Sequence, residues 1–173
     1  MAKNIIIGVG NLLFCDDGVG VIASHYLKKN YSFEPEFEVL DGGTLGFSLL
    51  EYFTEYDNVF ILDTISVDDE IGSIYKVPSD ELLGSGAYKK TAHEVEVVQM
   101  LEACELYDKT ANVIIFGVVP KDINTVQIGL SKELKKSFEL FMQTIIKSIE
   151  ELDVQVEKVD DISLDEVIQE LLL

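Results

Sequence analysis

The stretch Asn4-Ile5-Ile6-Ile7-Gly8-Val9-Gly10-Asn11-Leu12-Leu13-Phe14-Cys15-Asp16-Asp17-Gly18-Val19-Gly20 decides how the chain is read. Its first part, Asn4–Val9, is an isoleucine-rich apolar run short enough to be a buried strand. From Val19 to Lys29 the apolar residues recur at helical spacing. Between these runs lie a tight glycine turn and two adjacent carboxylates. A strand that ends in such a turn delivers whatever follows to the carboxyl edge of a sheet, where open α/β sheets bind their ligands.

Outward from this stretch, strand-like and helix-like runs alternate, the pattern of a largely parallel sheet covered on both faces. A polar, proline-containing loop is expected over Asn30–Glu36, then a strand over Phe37–Leu40, a turn at Asp41-Gly42-Gly43-Thr44 and a helix over Phe47–Tyr56. Asn58–Leu62 reads as a strand ending at Asp63. Gly72–Val77 follows it with no helix between, which predicts an antiparallel neighbour. Thr91-Ala92-His93-Glu94 has the form of a capping box opening a helix over Ala92–Leu106. Asn112–Val118 is a further strand. Leu134, Phe138, Phe141, Ile145, Ile149 and Leu152 make one apolar stripe on a helix capped by Ser131. Ser163 and Glu166 form a second capping box, flanked by Ile162 and Val167 as a hydrophobic staple. The expected fold is a single α/β domain with a mostly parallel five-stranded sheet, one antiparallel strand and helices on both faces. The domain is expected over residues 1–155, with 156–173 an acidic tail whose short C-terminal helix either docks or stays mobile.

The chain has 173 residues and a net charge of −19, from 13 basic and 32 acidic side chains. Such a surface repels a nucleic-acid backbone. All the basic residues are lysines, so there is no bidentate guanidinium clamp for phosphate or carboxylate. No apolar run is long enough to span a bilayer, and the first residues lack a signal-peptide cleavage site. Cys15 and Cys104 have neither disulfide-framework nor zinc spacing. A reduced, cytoplasmic setting is expected, with no membrane and no nucleic-acid partner.

Several motifs can be tested against the residues present. The dinucleotide fingerprint needs a third glycine at position 13, which is Leu13. A zinc-protease helix beginning at His93-Glu94 needs a second histidine at 97, which is Val97. There is no G-x-S-x-G elbow. Cys15 has no histidine beside it, and two neighbouring acids oppose its ionisation. Cys104 reads as core, and His25, next to Lys28 and Lys29, as surface. The acids are more informative. Asp16 and Asp17 follow the first strand, Asp41 ends the second and Asp63 the third. A single aspartate after a strand is usually a turn former or a helix cap. Successive parallel strands delivering acids to one rim gather like charges that repel unless a cation or shared protons relieve them. His93, in the first turn of a helix that starts at that rim, would add an imidazole suited to a transition metal. The two glycines after Asp41 serve either a tight turn or a groove in which an extended peptide lies against the backbone.

Together, Gly8-Val9-Gly10-Asn11-Leu12-Leu13, Asp16-Asp17-Gly18-Val19-Gly20, Asp41-Gly42-Gly43-Thr44, Ile61-Leu62-Asp63, Gly117-Val118-Val119-Pro120 and Ile128-Gly129-Leu130-Ser131 resemble the hydrogenase maturation endopeptidases. The likeness runs from about residue 4 to residue 152. It implies a cytoplasmic protease that removes the C-terminal extension of a nickel-iron hydrogenase large-subunit precursor once nickel is inserted. The family's nickel-binding positions correspond to Asp17, Asp63 and His93, the nickel being carried by the substrate. Many members carry glutamate where this chain has the shorter Asp17. The resemblance also makes Asp17, Asp41 and Asp63 the candidate catalytic carboxylates, and Gly42, Gly43 and Thr44 the candidate substrate-binding turn. Two other readings compete: a non-enzymatic metal-binding or chaperone module for the same subunit, and a nucleotide-binding domain using Gly8 and Gly10.

Overall fold

The computed structural model describes residues 2–81, 92–104 and 111–173, with side chains in the second stretch described from Val97 onward. A five-stranded sheet forms the centre. Its strands are β1 (Asn4–Val9), β3 (Phe37–Gly43), β4 (Asn58–Thr64), β5 (Ile74–Pro78) and β6 (Asn112–Val118). Their spatial order is β3-β1-β4-β6-β5. The first four in that order run parallel, and β5 lies antiparallel to β6. The mixed α/β sheet is therefore the one expected.

Helices cover both faces: α1 (Val19–Asn30), α2 (Leu50–Glu55), α3 (Ala92–Cys104), α4 (Lys132–Glu150) and α5 (Leu164–Glu170). The side-chain alternation of the strands sorts the core into two layers. Ile6, Phe37, Phe60, Leu62 and Phe116 pack under α1 and α4. Ile5, Ile7, Val9, Val59, Ile61 and Ile115 pack under α2 and α3. Leu134, Phe138, Phe141, Ile145 and Ile149 of the expected stripe are buried on α4, whereas Leu152 lies past the helix end and is half-buried; Ser131 caps that helix by accepting from the Leu134 amide. Val97 and Cys104 lie in the second core layer. The expected cap at Thr91, and the end of the expected third helix at residues 105–106, lie outside the described residues.

Three asparagines pin the register at the amino ends of the parallel strands. Asn4, Asn58 and Asn112 lie side by side. Asn58 donates to Asn4 at 2.7 Å and Asn112 to Asn58 at 3.2 Å. With that end fixed, the carboxyl ends of β1, β4 and β6 open together on the opposite edge.

The segment expected as a loop over Asn30–Glu36 contains a strand, β2 (Tyr31–Glu34), paired antiparallel with β7 (Gln155–Lys158). Its period-two pattern turns Tyr31 and Phe33 onto the core beneath α1 and α4. Residues after β7 continue into α5, whose Val167 and Ile168 are buried in the same layer. Ser163 and Glu166 form the expected capping box there. The C-terminal helix is docked.

Candidate active site at the carboxyl edge of the sheet

Asp16 and Asp17 lie in a short 3-10 turn, Cys15–Gly18, that leads directly into α1. All four of its residues are buried. Carboxylates placed just before a helix N-terminus face unpaired amides and the positive end of its dipole. The glycines explain how the turn gets so close to the sheet. A Cβ on Gly20 would stand 2.0 Å from the Leu62 carbonyl oxygen, and one on Gly10 would stand 1.9 Å from that of Asp17. Both glycines are thus consumed by the chain's own backbone contacts, which is the packing the Gly8–Gly20 pattern encodes.

The adjacent acids do different work. Asp16 is fully buried. Its Oδ2 accepts from the Lys121 amide at 2.9 Å and the Asp122 amide at 3.1 Å, and its Oδ1 accepts from the Ser131 amide at 2.7 Å. It therefore fastens the loop after β6 to the loop after β1. The Cys15 amide donating to Gln127 and the Gln127 amide donating to Leu13 zip the same loops together. Both oxygens of Asp16 are committed to backbone amides, which leaves Asp17 rather than Asp16 as the candidate ligand. Asp17 is 7% exposed, and its Oδ2 accepts from the Asn11 amide at 2.9 Å. Cys15 is buried, and burial followed by the charge of Asp16 pushes its thiol pKa up, so a nucleophilic role finds no support.

Asp63 sits at the carboxyl end of β4, 3% exposed, its Oδ1 accepting from the Thr64 amide at 2.7 Å. The turn that carries Asp17 touches β4. Alternation from Val59 and Ile61 turns Asp63 toward the face covered by α2 and α3. His93 belongs to the first turn of α3; its side chain lies outside the described residues. Among the described residues no group of three or more histidine, cysteine or acidic side chains is gathered as a metal cluster.

Asp41 departs from the picture of one shared cluster. It is level with Gly8 in the register, so it does lie near the same edge. However, alternation from Phe37 and Val39 turns it toward α1, on the opposite face from Asp63. There its Oδ2 meets His25 Nε2 at 2.8 Å, and its Oδ1 accepts from the Gly43 amide at 3.0 Å. His25, expected to be an idle surface residue, is thus drawn into the rim. No spacing rule in the sequence announces that contact, because helix-on-sheet packing makes it. Gly42 is buried, and a Cβ there would come within 2.6 Å of Ile7 Cγ2. Gly43 has φ +45° and its carbonyl accepts from the Gly10 amide at 3.0 Å. Thr44 is exposed beside them.

The arrangement is two nearly solvent-excluded carboxylates, Asp17 and Asp63, at the edge where open α/β sheets bind ligands. Oxygen donors joined by an imidazole make a donor set suited to a borderline divalent ion rather than the closed thiolate cage of structural zinc.

The hydrogenase maturation protease family profile matches residues 21–148. Protein HydD of Wolinella succinogenes is 32% identical over 148 residues, covering 83% of this chain and 93% of the relative. The hydrogenase 2 maturation protease of Escherichia coli is 26% identical over 153 residues, covering 87% and 93%. The solved hydrogenase maturating endopeptidase HybD of Escherichia coli shares the fold, with a TM-score of 0.83 at 24% identity, covering 91% of this chain and 98% of that one. On this evidence the chain belongs to the hydrogenase maturation protease family, and is a peptide hydrolase.

Proposed function

We propose that this protease removes the C-terminal extension from the nickel-loaded large-subunit precursor of a nickel-iron hydrogenase, in the cytoplasm. Asp17, Asp63 and His93 read the nickel that the substrate carries. The observation that carries the proposal is the pair of buried carboxylates, Asp17 and Asp63, at the ligand-binding edge of the sheet. Like charges gathered at a ligand-binding edge favour a bound cation there. A precursor without nickel lacks that bridge and binds poorly, which makes metal insertion the condition for cleavage. A bridge of this kind also holds the peptide against the rim and supplies orientation.

The edge position of β3 supports a role for Gly42, Gly43 and Thr44. Among the described residues one side of that strand carries no neighbour in the sheet, the arrangement against which an extended peptide can lie. Hydrolysis needs a water activated by a rim carboxylate acting as general base. Asp17 and Asp63 supply buried carboxylates at the rim, and Asp41, on the α1 face, is assigned the assisting acid or base. No described helix is long and apolar enough to cross a membrane.

The test is a mass-spectrometric cleavage assay with nickel-loaded and nickel-free precursor side by side. Trimming is expected only of the loaded form, and Asp17→Ala, Asp63→Ala and His93→Ala are each expected to lower its rate at least about 100-fold while remaining folded. Normal processing by all three variants would refute the residue assignment.

A further inference from the structure

Asp41 is 43% exposed and His25 30%. An exposed polar contact of this kind adds almost nothing to stability, since solvent competes for it and ordering two side chains offsets the gain. The contact does something else: it leaves neither oxygen of Asp41 free to swing. One meets His25 on α1, and the other accepts from Gly43.

The hydrogen bonds continue from there. Gly43, held in a left-handed turn at φ +45°, accepts from Gly10 through its carbonyl at 3.0 Å. The next amide along the chain, that of Asn11, donates to Asp17 Oδ2 at 2.9 Å. An unbroken run of short contacts thus links a side chain of α1, through the glycine turn at the sheet edge, to the loop that orients Asp17.

We propose that His25 is a positioning residue for the reaction: its imidazole N–H fixes the Asp41 carboxylate, which fixes the Gly43 turn and with it the Gly10-Asn11 peptide that holds Asp17. This inference rests on the proposed protease reaction for its catalytic consequence, but not for the positional claim. His25 touches neither the scissile bond nor the metal in this scheme. Without it, Asp41 gains rotamers that release the turn, and the site spends part of its time misaligned. Misalignment of this sort costs rate rather than fold.

The experiment compares the full wild-type chain with His25→Ala and His25→Gln. The readouts are trimming of nickel-loaded precursor, thermal unfolding, and amide hydrogen exchange at Gly10 and Gly43 by NMR. His25→Ala is expected to lower kcat about tenfold with KM within about twofold. Its Tm should stay within about 2 °C, as an exposed pair requires, and exchange at both glycines should quicken. His25→Gln, which keeps an N–H donor, should recover kcat to within about threefold and restore the exchange rates. Wild-type kcat in His25→Ala, equal slowing in both variants, or unchanged exchange at Gly43 and Gly10 would overturn the inference. If the wild-type chain leaves the precursor uncut, the proposed substrate is wrong, while the exchange rates still decide whether His25 holds the turn.

Discussion

Replacing Asp16 by asparagine should destabilise the fold far more than its place among the rim acids suggests. The carboxylate is fully buried and accepts three backbone amides, two on one oxygen and one on the other. A hydrogen bond to an ionised group contributes about 1.5–3 kcal/mol. An asparagine side chain has one carbonyl oxygen, so it keeps either the Ser131 bond or the Lys121 and Asp122 pair. Its NH2 group is then turned toward amides that also donate. At least one charge-assisted bond is lost and the others weaken to neutral ones. Counting one bond lost and two weakened as equivalent to two bonds at the lower end of that range, the expected cost is about 3 kcal/mol. For a domain of this size that corresponds to a fall in Tm of roughly 6–12 °C. Differential scanning calorimetry measures it directly. A fall below about 2 °C would refute the reasoning, because a carboxylate acting chiefly as a metal ligand would lose processing and leave Tm in place.

Two further perturbations test other links in the structure. Gly20→Ala puts a methyl group against the carbonyl oxygens of Leu62 and Val9, 2.0 and 2.4 Å away, so α1 must lift off the sheet; the expected cost is about 3 kcal/mol, read from urea unfolding, and a wild-type midpoint would refute that packing. Cys15 and Cys104 are both buried with thiol pKa values pushed up by burial, and for Cys15 by Asp16 as well. Reaction proceeds through the thiolate, so iodoacetamide at pH 8 should label the native chain at least about tenfold more slowly than the urea-unfolded chain. The linkage sign follows: these thiols favour the folded state below their ordinary pKa, and the benefit fades as pH rises through the higher folded value. Equal labelling of the two states would contradict the burial.

Much of the fold could be read from local pattern. Asn4–Val9 and Asn112–Val118 are strands over the residues their apolar runs mark. Ser131 and Ser163 cap the helices their spacing announces. The β2–β7 ribbon could not be read this way, because each strand is four residues long and finds its partner across more than half the chain. The site was legible as a set of acids at strand ends. Which acid does which work was not. Asp16 and Asp17 are chemically alike and adjacent, and only the return of residues 121, 122 and 131 separates a fastening carboxylate from a candidate ligand. The face taken by Asp41 did lie within reach of period-two reasoning, since Phe37 and Val39 precede it on the same side. His25 did not, because its partner is brought to it by the docking of α1.

The lower end of α1 is completed from a distance. Asn30 bonds to both the amide and the carbonyl of Ile162, 132 positions further along, and Lys29 pairs with Glu170. Val167 and Ile168 close the core layer beneath that helix. During synthesis, therefore, Asp16 and Asp17 are made well before the segment from Ile162 to Glu170 that braces the helix behind them. A nascent chain stalled before Ile162 would carry every candidate catalytic side chain and still lack the brace behind them.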